Sequence, residues 1–256
     1  MVRLLTILCV IGTTISIRAQ GPLDEAVELV WKTQFDLELH AWMTAPDHER
    51  PTPLLVTLPM MGETHESYAG LLQELQSRVD ADTTGRSVMP YTLNFDLRGH
   101  GKSIMYKGET LRYTGMRKPH WEEVPIEIAA TIKALASDSS YRIDGNNITV
   151  VGASIGANVA ALLTELVPGI RRIVLLSPGE NYRGLKPQEA LDSFEGKTLI
   201  LTRKRDRPST KAGGHFRDLH PDRIEFRAYP ERGHGTGIFE HDDRPMADLV
   251  NWILKE

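Results

Sequence analysis

The sequence contains a single cysteine, Cys9, among 256 residues, and it has no long block of lysine and arginine. One thiol excludes an intramolecular disulfide. The formal charge of −4 and the absence of a basic block argue against a nucleic-acid-binding surface. Hydrophobic residues make up 41% of the chain, which is typical of a globular protein large enough to bury a full core.

The sequence also lacks a hydrophobic run long enough to span a bilayer. Apolar residues predominate from Leu4 to Ile17, which is shorter than the ~20 residues of a transmembrane helix. Arg3 before this run and Ala19 after it are typical of a secretory signal peptide over residues 1–20. We therefore predict a cleaved signal peptide, a single domain over residues 21–256 without cysteine, and a secreted or periplasmic protein.

Apolar, β-branched segments alternate with amphipathic segments along the chain, which indicates an α/β fold with a mostly parallel sheet. We predict eight strands, helices on both faces of the sheet and no large cap domain. The predicted strands are 26–33, 35–43, 54–58, 88–95, 148–151, 172–176, 198–202 and 224–229. Predicted helices are 68–79, 121–136, 187–194 and 246–254, with another directly after strand 148–151, and the segment 104–120 is predicted to be a long loop.

The most informative stretch runs from Ile148 to Ala161, where an apolar strand leads through Gly152-Ala153-Ser154-Ile155-Gly156 into small, helix-forming residues. A glycine-x-serine-x-glycine turn between a strand and a helix is typical of a nucleophile elbow. Such a turn forces its serine into a strained conformation and needs small residues where the two backbones nearly touch. Because the following helix points its N-terminus at the same spot, we predict that the backbone N–H of Ile155 stabilises an oxyanion.

A serine nucleophile needs a base and an acid, and after this kind of elbow the chain order is serine, acid, histidine. His234 lies between two glycines directly after the last predicted strand, and the flanking glycines leave room for its ring. Asp206 follows the predicted strand 198–202. We therefore predict that Ser154, Asp206 and His234 are the catalytic residues.

Two other residues compete for these roles. Glu180 follows the predicted strand 172–176 and is the second candidate for the acid. His100 is the second candidate for the base, although it precedes the serine in the chain and so stands in the wrong order.

Two charged clusters have simpler interpretations. The basic run from Arg203 to Arg207 is interpreted as a solvated loop, with recognition of an anionic substrate as the alternative. The acidic turn at 240–243, with His215 or His220, could in principle hold a metal ion, but adjacent loop positions cannot all face one ion. This turn is interpreted as solvated, and we predict neither a metal nor a cofactor.

Four motifs occur in order along the chain: D-L-R-G-H-G-K-S at 96–103, G-A-S-I-G-A-N at 152–158, L-S-P-G-E-N-Y-R-G-L at 176–185 and G-H-G-T at 233–236. With these motifs the chain resembles the α/β hydrolase superfamily, and within it the small, lidless group of dienelactone-hydrolase-like proteins and serine carboxylesterases. The chain has Pro59-Met60 where the family usually has His-Gly, and serine where true dienelactone hydrolases have cysteine. The resemblance implies ester hydrolysis without a cofactor, with a second oxyanion donor in the backbone N–H of Met61, or of Met60.

Together these features predict a carboxylesterase that acts on a small or medium acyl ester through an acyl-enzyme. An amidase or peptidase with the same residues is one alternative, although no extra domain to hold a peptide is visible in the sequence. A non-catalytic binding protein on the same fold is the other. The predicted partner is a small-molecule ester, with neither nucleic acid nor a stable membrane anchor, and the sequence defines no oligomeric state.

Overall fold

The computed structural model describes residues 23, 25–46 and 50–255. The predicted signal peptide, residues 1–20, and with it Cys9, lies outside the described residues. Within the described ranges, no helix is both long enough and apolar enough to cross a bilayer. These residues form one large sheet with helices on both of its faces.

The described strands comprise eight in the main sheet and two in a small hairpin. The strands are β1 (Val27–Lys32), β2 (Glu38–Thr44), β3 (Thr52–Leu58), β4 (Tyr91–Phe95), β5 (Met105–Tyr106), β6 (Glu109–Thr110), β7 (Ile143–Ala153), β8 (Ile170–Leu176), β9 (Lys197–Arg203) and β10 (Ile224–Tyr229). The α-helices are α1 (Ala69–Asp80), α2 (Lys118–Glu122), α3 (Val124–Ala136), α4 (Ile155–Leu166), α5 (Gln188–Ser193), α6 (Arg207–Leu219) and α7 (Arg244–Leu254).

The main sheet has the strand order β1-β2-β4-β3-β7-β8-β9-β10. β2 runs antiparallel to both β1 and β4, and every other neighbouring pair is parallel. This arrangement confirms the predicted sheet of eight mostly parallel strands. Because β3, β7, β8, β9 and β10 are parallel, the loops after them lie along one edge of the sheet, where ligands bind in open α/β folds.

Two hydrophobic layers, one on each face of the sheet, bury its apolar side chains. Successive residues of β7 show this division: Val150 belongs to the layer covered by α3, α4 and α6, whereas Val151 belongs to the layer covered by α1 and α7. Parallel strands buried on both faces appear in sequence as short, continuous apolar runs, which explains why most of these strands were recognisable.

The segment predicted to be a loop, residues 104–120, contains regular structure. β5 and β6 form a hairpin whose two turn residues, Lys107 and Gly108, have φ values of 54° and 80°. Positive φ at both central residues is typical of the two-residue turns that connect the strands of a β-hairpin. Strands of only two residues are too short to produce an apolar pattern in the sequence, and α2 then begins at Lys118.

Two helix predictions require correction. The predicted helix 121–136 is two helices, α2 and α3, because Pro125 stands in the first turn of α3. Proline fits a first turn, where no N–H is needed, but would break a continuous helix. The second correction is that α6 was not predicted. Its residues Gly213 and Gly214 lower the helix propensity of this segment. Gly213 is required by packing, because a Cβ there would lie 2.8 Å from the ring of Phe226.

Three strands begin three or more residues away from their predicted starts. β2 begins at Glu38 rather than at residue 35, because residues 34–36 form the turn after β1, with Asp36 at φ 60°. β4 begins at Tyr91 rather than at residue 88, directly after Pro90, which has no N–H to donate to a neighbouring strand. β7 begins at Ile143 rather than at residue 148, because the predicted turn at 144–147 instead continues the strand with a shifted register against β3.

A buried ion-pair network fastens the loop after β4 to α3. Arg98 is fully buried, and its guanidinium lies 2.5 Å from Glu127 and 2.5 Å from Glu123. Thr33 donates a further hydrogen bond to Glu127, at 2.8 Å, and the ring of Tyr106 lies 4.6 Å from the guanidinium carbon of Arg98. The hairpin β5–β6 is thereby connected to the body of the domain.

Candidate active site

The candidate site lies at the edge of the sheet formed by the carboxyl ends of β7, β9 and β10. Ser154 stands between β7 and α4, Asp206 stands between β9 and α6, and His234 follows β10. The parallel arrangement of these three strands therefore brings together residues that are far apart in the sequence. The three predicted catalytic residues meet at this edge.

The turn that carries Ser154 is strained and tightly packed. Ser154 has φ 52° and ψ −114°, a backbone conformation that residues other than glycine rarely adopt outside sharp turns. A Cβ at Gly152 would lie 2.1 Å from the carbonyl oxygen of Gly156, and a Cβ at Gly156 would lie 2.4 Å from that of Leu58. The two glycines are therefore required because backbone passes directly over each of them.

Three side chains form a continuous hydrogen-bonded chain across this edge. His234 Nε2 lies 2.7 Å from Ser154 Oγ, and His234 Nδ1 lies 2.7 Å from Asp206 Oδ2. When Nδ1 carries the ring proton and donates it to the carboxylate, Nε2 is free to accept the hydroxyl proton of the serine. This arrangement can activate Ser154 as a nucleophile and stabilise the imidazolium that results.

The surroundings of Asp206 keep its carboxylate ionised. Burial acts to raise the pKa of Asp206, but hydrogen bonds to the charged form, chiefly from His234, outweigh burial and leave the pKa below its ordinary value. The hydroxyls of Ser209 and Ser177 lower this pKa further. Ser177, at the end of β8, has φ 54°, so the backbone is strained here as it is at the elbow.

Tyr182 is a residue of this site that the sequence analysis missed. Its ring lies edge-on to that of His234, with centroids 6.4 Å apart, and its hydroxyl lies 3.3 Å from Ser209 Oγ. Burial raises the pKa of Tyr182, and hydrogen bonding to Ser209 and Ser154 opposes that increase. Gly179 makes the position possible, since a Cβ there would lie 2.6 Å from the tyrosine ring. The signal available in the sequence was the aromatic residue in the motif that follows β8.

The predicted oxyanion donors lie on two segments that pack together. Ile155 is the first residue of α4, and Met61 stands in the turn after β3. Contact between Gly156 and the carbonyl groups at the end of β3 holds the turn beside the start of α4. The side chain of Met60 lies against Gly235, next to the histidine, because a Cβ on that glycine would be 2.5 Å from the methionine sulfur. The donor roles of Ile155 and Met61, or Met60, remain predictions.

The two competing candidates do not join the hydrogen-bonded chain. Glu180 is exposed in the loop that follows β8, whereas the Nδ1 atom of His234 is engaged by Asp206. His100 is buried; its Nδ1–H donates to the carbonyl of Arg98 at 2.9 Å, and its ring stacks on Tyr113 with centroids 4.7 Å apart. Burial lowers the pKa of His100 and favours its neutral form.

The interpretation of residues 203–207 as a solvated loop is wrong for Arg203. This side chain is fully buried at the end of β9, and its guanidinium donates to Asp242 and to the carbonyl of Ile238. The acidic turn is accordingly not entirely solvated, since the side chain of Asp242 is only 10% exposed and pairs with Arg203 at 3.1 Å. A buried arginine needs a paired acceptor, and Asp242 provides it from 39 positions away in the sequence.

The histidines considered with this acidic turn lie on or near α6. His215 is exposed beside Phe216, and His220 pairs with Asp192 at 2.7 Å. Among the described residues, no group of three or more histidine, cysteine, aspartate or glutamate side chains is arranged to hold a metal ion.

Comparison with known proteins identifies solved structures with the same fold and the family to which the chain belongs. Three solved structures share the fold: acetyl xylan esterase 1 from Thermoanaerobacterium sp. JW/SL YS485 (14% identity over 97% of this chain and 87% of that chain, TM-score 0.66), the esterase Pf2001 from Pyrococcus furiosus (15%, 96% and 96%, 0.67) and an esterase from Pyrobaculum calidifontis (15%, 91% and 86%, 0.64). No curated protein matches the chain by sequence. Residues 61–251 match the sequence model of the alpha/beta hydrolase family. Because this match spans more than half of the chain, the protein belongs to the alpha/beta hydrolase family.

Proposed function

We propose that the protein is a serine carboxylesterase. The observation that carries the proposal is the hydrogen-bonded chain from Ser154 through His234 to Asp206, with both distances at 2.7 Å. Membership of the alpha/beta hydrolase family supports it, as do the three structural relatives described above, which are themselves esterases. The position of the serine on a strained turn at the start of a helix is a further support.

The first half of the reaction acylates Ser154. Its Oγ attacks the carbonyl carbon of the ester while His234 Nε2 takes the hydroxyl proton. The carbonyl oxygen becomes an oxyanion, which the backbone N–H groups of Ile155 and Met61, or Met60, stabilise. The bond from the carbonyl carbon to the leaving oxygen then breaks, and His234 returns its proton to that oxygen, so an alcohol leaves.

The second half of the reaction releases the acid. A water molecule gives a proton to His234 and attacks the acyl carbon, and collapse of the second oxyanion breaks the bond to Ser154 Oγ. His234 then reprotonates the serine. Asp206 accepts the Nδ1–H of His234 throughout and stabilises the imidazolium each time it forms. Overall, one water and one ester give one acid and one alcohol.

A small or medium acyl ester is the substrate class in this proposal. The connection between β8 and α5 is short, and no large cap domain covers the carboxyl edge in the described part of the chain. An amidase or peptidase with the same residues is the second candidate, but nothing in the described fold adds a surface for a peptide. We further propose that residues 1–20 export the protein, which would then act outside the cytoplasm.

Hydrolysis of p-nitrophenyl esters from acetate to palmitate tests the proposal. We expect turnover to be fastest for the short and medium acyl chains, because no cap domain in the described part of the chain encloses a long acyl group over the edge that holds Ser154. A folded protein that hydrolyses p-nitroanilides but no ester would show that an amidase is the better assignment. A folded protein that hydrolyses neither class would instead favour a binding role.

A further inference from the structure

Four cationic side chains surround an open cleft beside the proposed base. The cleft has a volume of about 840 Å³ and includes His234 and Asp206 in its walls. The loop after β9 and the start of α6 contribute three of the cations, and the loop after β10 contributes the fourth. These side chains are Lys204, Arg205, Arg207 and Arg232, and all four are exposed.

These four cations have no carboxylate partner among the described residues. The ion pairs of the described chain include none of them. The one carboxylate in the walls of the cleft belongs to Asp206, which His234 already engages. Glu231, next to Arg232 in the sequence, is exposed and acts electrostatically on Arg244. The cluster is positively charged, whereas the chain as a whole has a formal net charge of −4.

The position of the cleft beside His234 relates it to the leaving group of an ester. In the proposed mechanism His234 protonates the leaving oxygen, so the leaving group lies next to the histidine ring. Since His234 forms part of the wall of the cleft, a leaving group that extends past the ring comes close to the cationic side chains of the same cleft. Arginine side chains bind carboxylate and phosphate oxygens in paired hydrogen bonds, which suits them to an anionic group more than to a neutral one.

We infer that the preferred substrate is an ester whose leaving group carries a carboxylate or a phosphate, which binds between Arg205, Arg207, Arg232 and Lys204. This inference rests on the proposed function and specifies its substrate class. In water, one charge pair about 4 Å apart changes affinity by about fivefold, so two or more contacts give a preference of at least tenfold. Because the cations are exposed, added salt screens this preference.

Three acetate esters that differ only in the charge of the leaving group test the inference. They are 4-acetoxybenzamide, which is neutral, 4-acetoxybenzoate and 4-acetoxyphenyl phosphate, each with its kcat/KM divided by its rate constant with hydroxide to remove differences in intrinsic reactivity. We expect at least one anionic ester to exceed the neutral ester by about tenfold or more at low salt. The ratio should fall severalfold between about 20 mM and about 500 mM salt.

The variant that tests the site is the double substitution Arg205→Gln and Arg232→Gln, for which we expect the ratio of anionic to neutral turnover to fall about tenfold. Lys133→Gln is the control, because it removes an exposed cation of α3 that does not line the cleft, and it should leave every rate unchanged. Preference for the benzoate or for the phosphate ester identifies which anion the cleft accepts.

Two results would overturn the inference while leaving the esterase intact: equal corrected rates for neutral and anionic esters, or a preference that the double substitution does not alter. Failure to hydrolyse any of the three esters would instead contradict the proposed function.

Discussion

Replacing Ser154 by alanine should lower kcat for p-nitrophenyl acetate by about 10³- to 10⁶-fold. The hydroxyl oxygen of Ser154, 2.7 Å from His234 Nε2, is the atom proposed to attack the ester, and alanine offers no substitute. Losses of this size follow removal of a serine nucleophile in other enzymes, and the residual rate comes from the oxyanion site and from binding. The measurement is a steady-state assay of purified wild-type and variant protein.

Ser193→Ala is the control for this substitution. Ser193 is an exposed residue at the end of α5, far in the sequence from the elbow, and its loss should leave kcat unchanged. Alanine at 154 keeps the Cβ that the strained turn already accommodates, so the variant should unfold at the same denaturant concentration as the wild type. An alanine variant that remains folded and retains activity within about tenfold of the wild type would require another nucleophile.

Asp206→Asn should lower kcat by about 10⁴-fold with little effect on the fold. The carboxylate accepts the Nδ1–H of His234 at 2.7 Å and so leaves Nε2 free to take the proton of the serine. An asparagine can present its NH₂ group to Nδ1, which moves the ring proton to Nε2 and blocks proton transfer. It also removes the negative charge that stabilises the imidazolium.

Glu180→Gln is the matched comparison, because Glu180 was the other candidate for the acid. Glu180 is exposed in the loop after β8 and takes no part in the hydrogen-bonded chain, so its substitution should leave kcat within about twofold of the wild type. If Glu180→Gln caused the large loss and Asp206→Asn the small one, the roles of the two carboxylates would be reversed.

The features that could be predicted from the sequence are those encoded locally. The elbow could be predicted because the apolar strand, the glycine-x-serine-x-glycine turn and the small residues of the following helix all lie within residues 148–161. The buried parallel strands are short apolar runs for a similar reason, since both faces of β3, β8 and β9 are covered. The order serine, acid, histidine along the chain is enough to select Asp206 and His234 as partners of Ser154, although the sequence gives no distances between them.

The features that escaped prediction depend on partners far away in the chain. The sequence around Arg203 suggests a solvated side chain, but Asp242, 39 positions later, and the carbonyl of Ile238 accept hydrogen bonds that make its burial possible. Similarly, Tyr182 reaches the histidine only because Gly179 leaves space beneath its ring. In α6, Gly213 weakens the local helix signal, and its close contact with β9 and β10 becomes visible only after the strands pack against the helix.

The same limitation applies to the segment between 104 and 120. Its hairpin contains four paired residues, and its attachment to the domain depends on Arg98, which is buried between two glutamates from another element. Neither the tight turn nor the ion-pair network produces a periodic pattern, so a loop was the natural prediction from sequence. Packing and charge pairing, rather than propensity, organise this part of the molecule.

The most direct test of a serine nucleophile is covalent labelling of the wild-type protein by a fluorophosphonate, with the modified residue located by mass spectrometry. We predict one adduct, on the peptide that contains Ser154, and no adduct on Ser154→Ala, because in the described part of the chain this is the hydroxyl that is hydrogen-bonded to His234. Absence of labelling on the folded wild-type protein, or labelling of a different serine, would contradict the proposal that Ser154 is the nucleophile of a serine hydrolase.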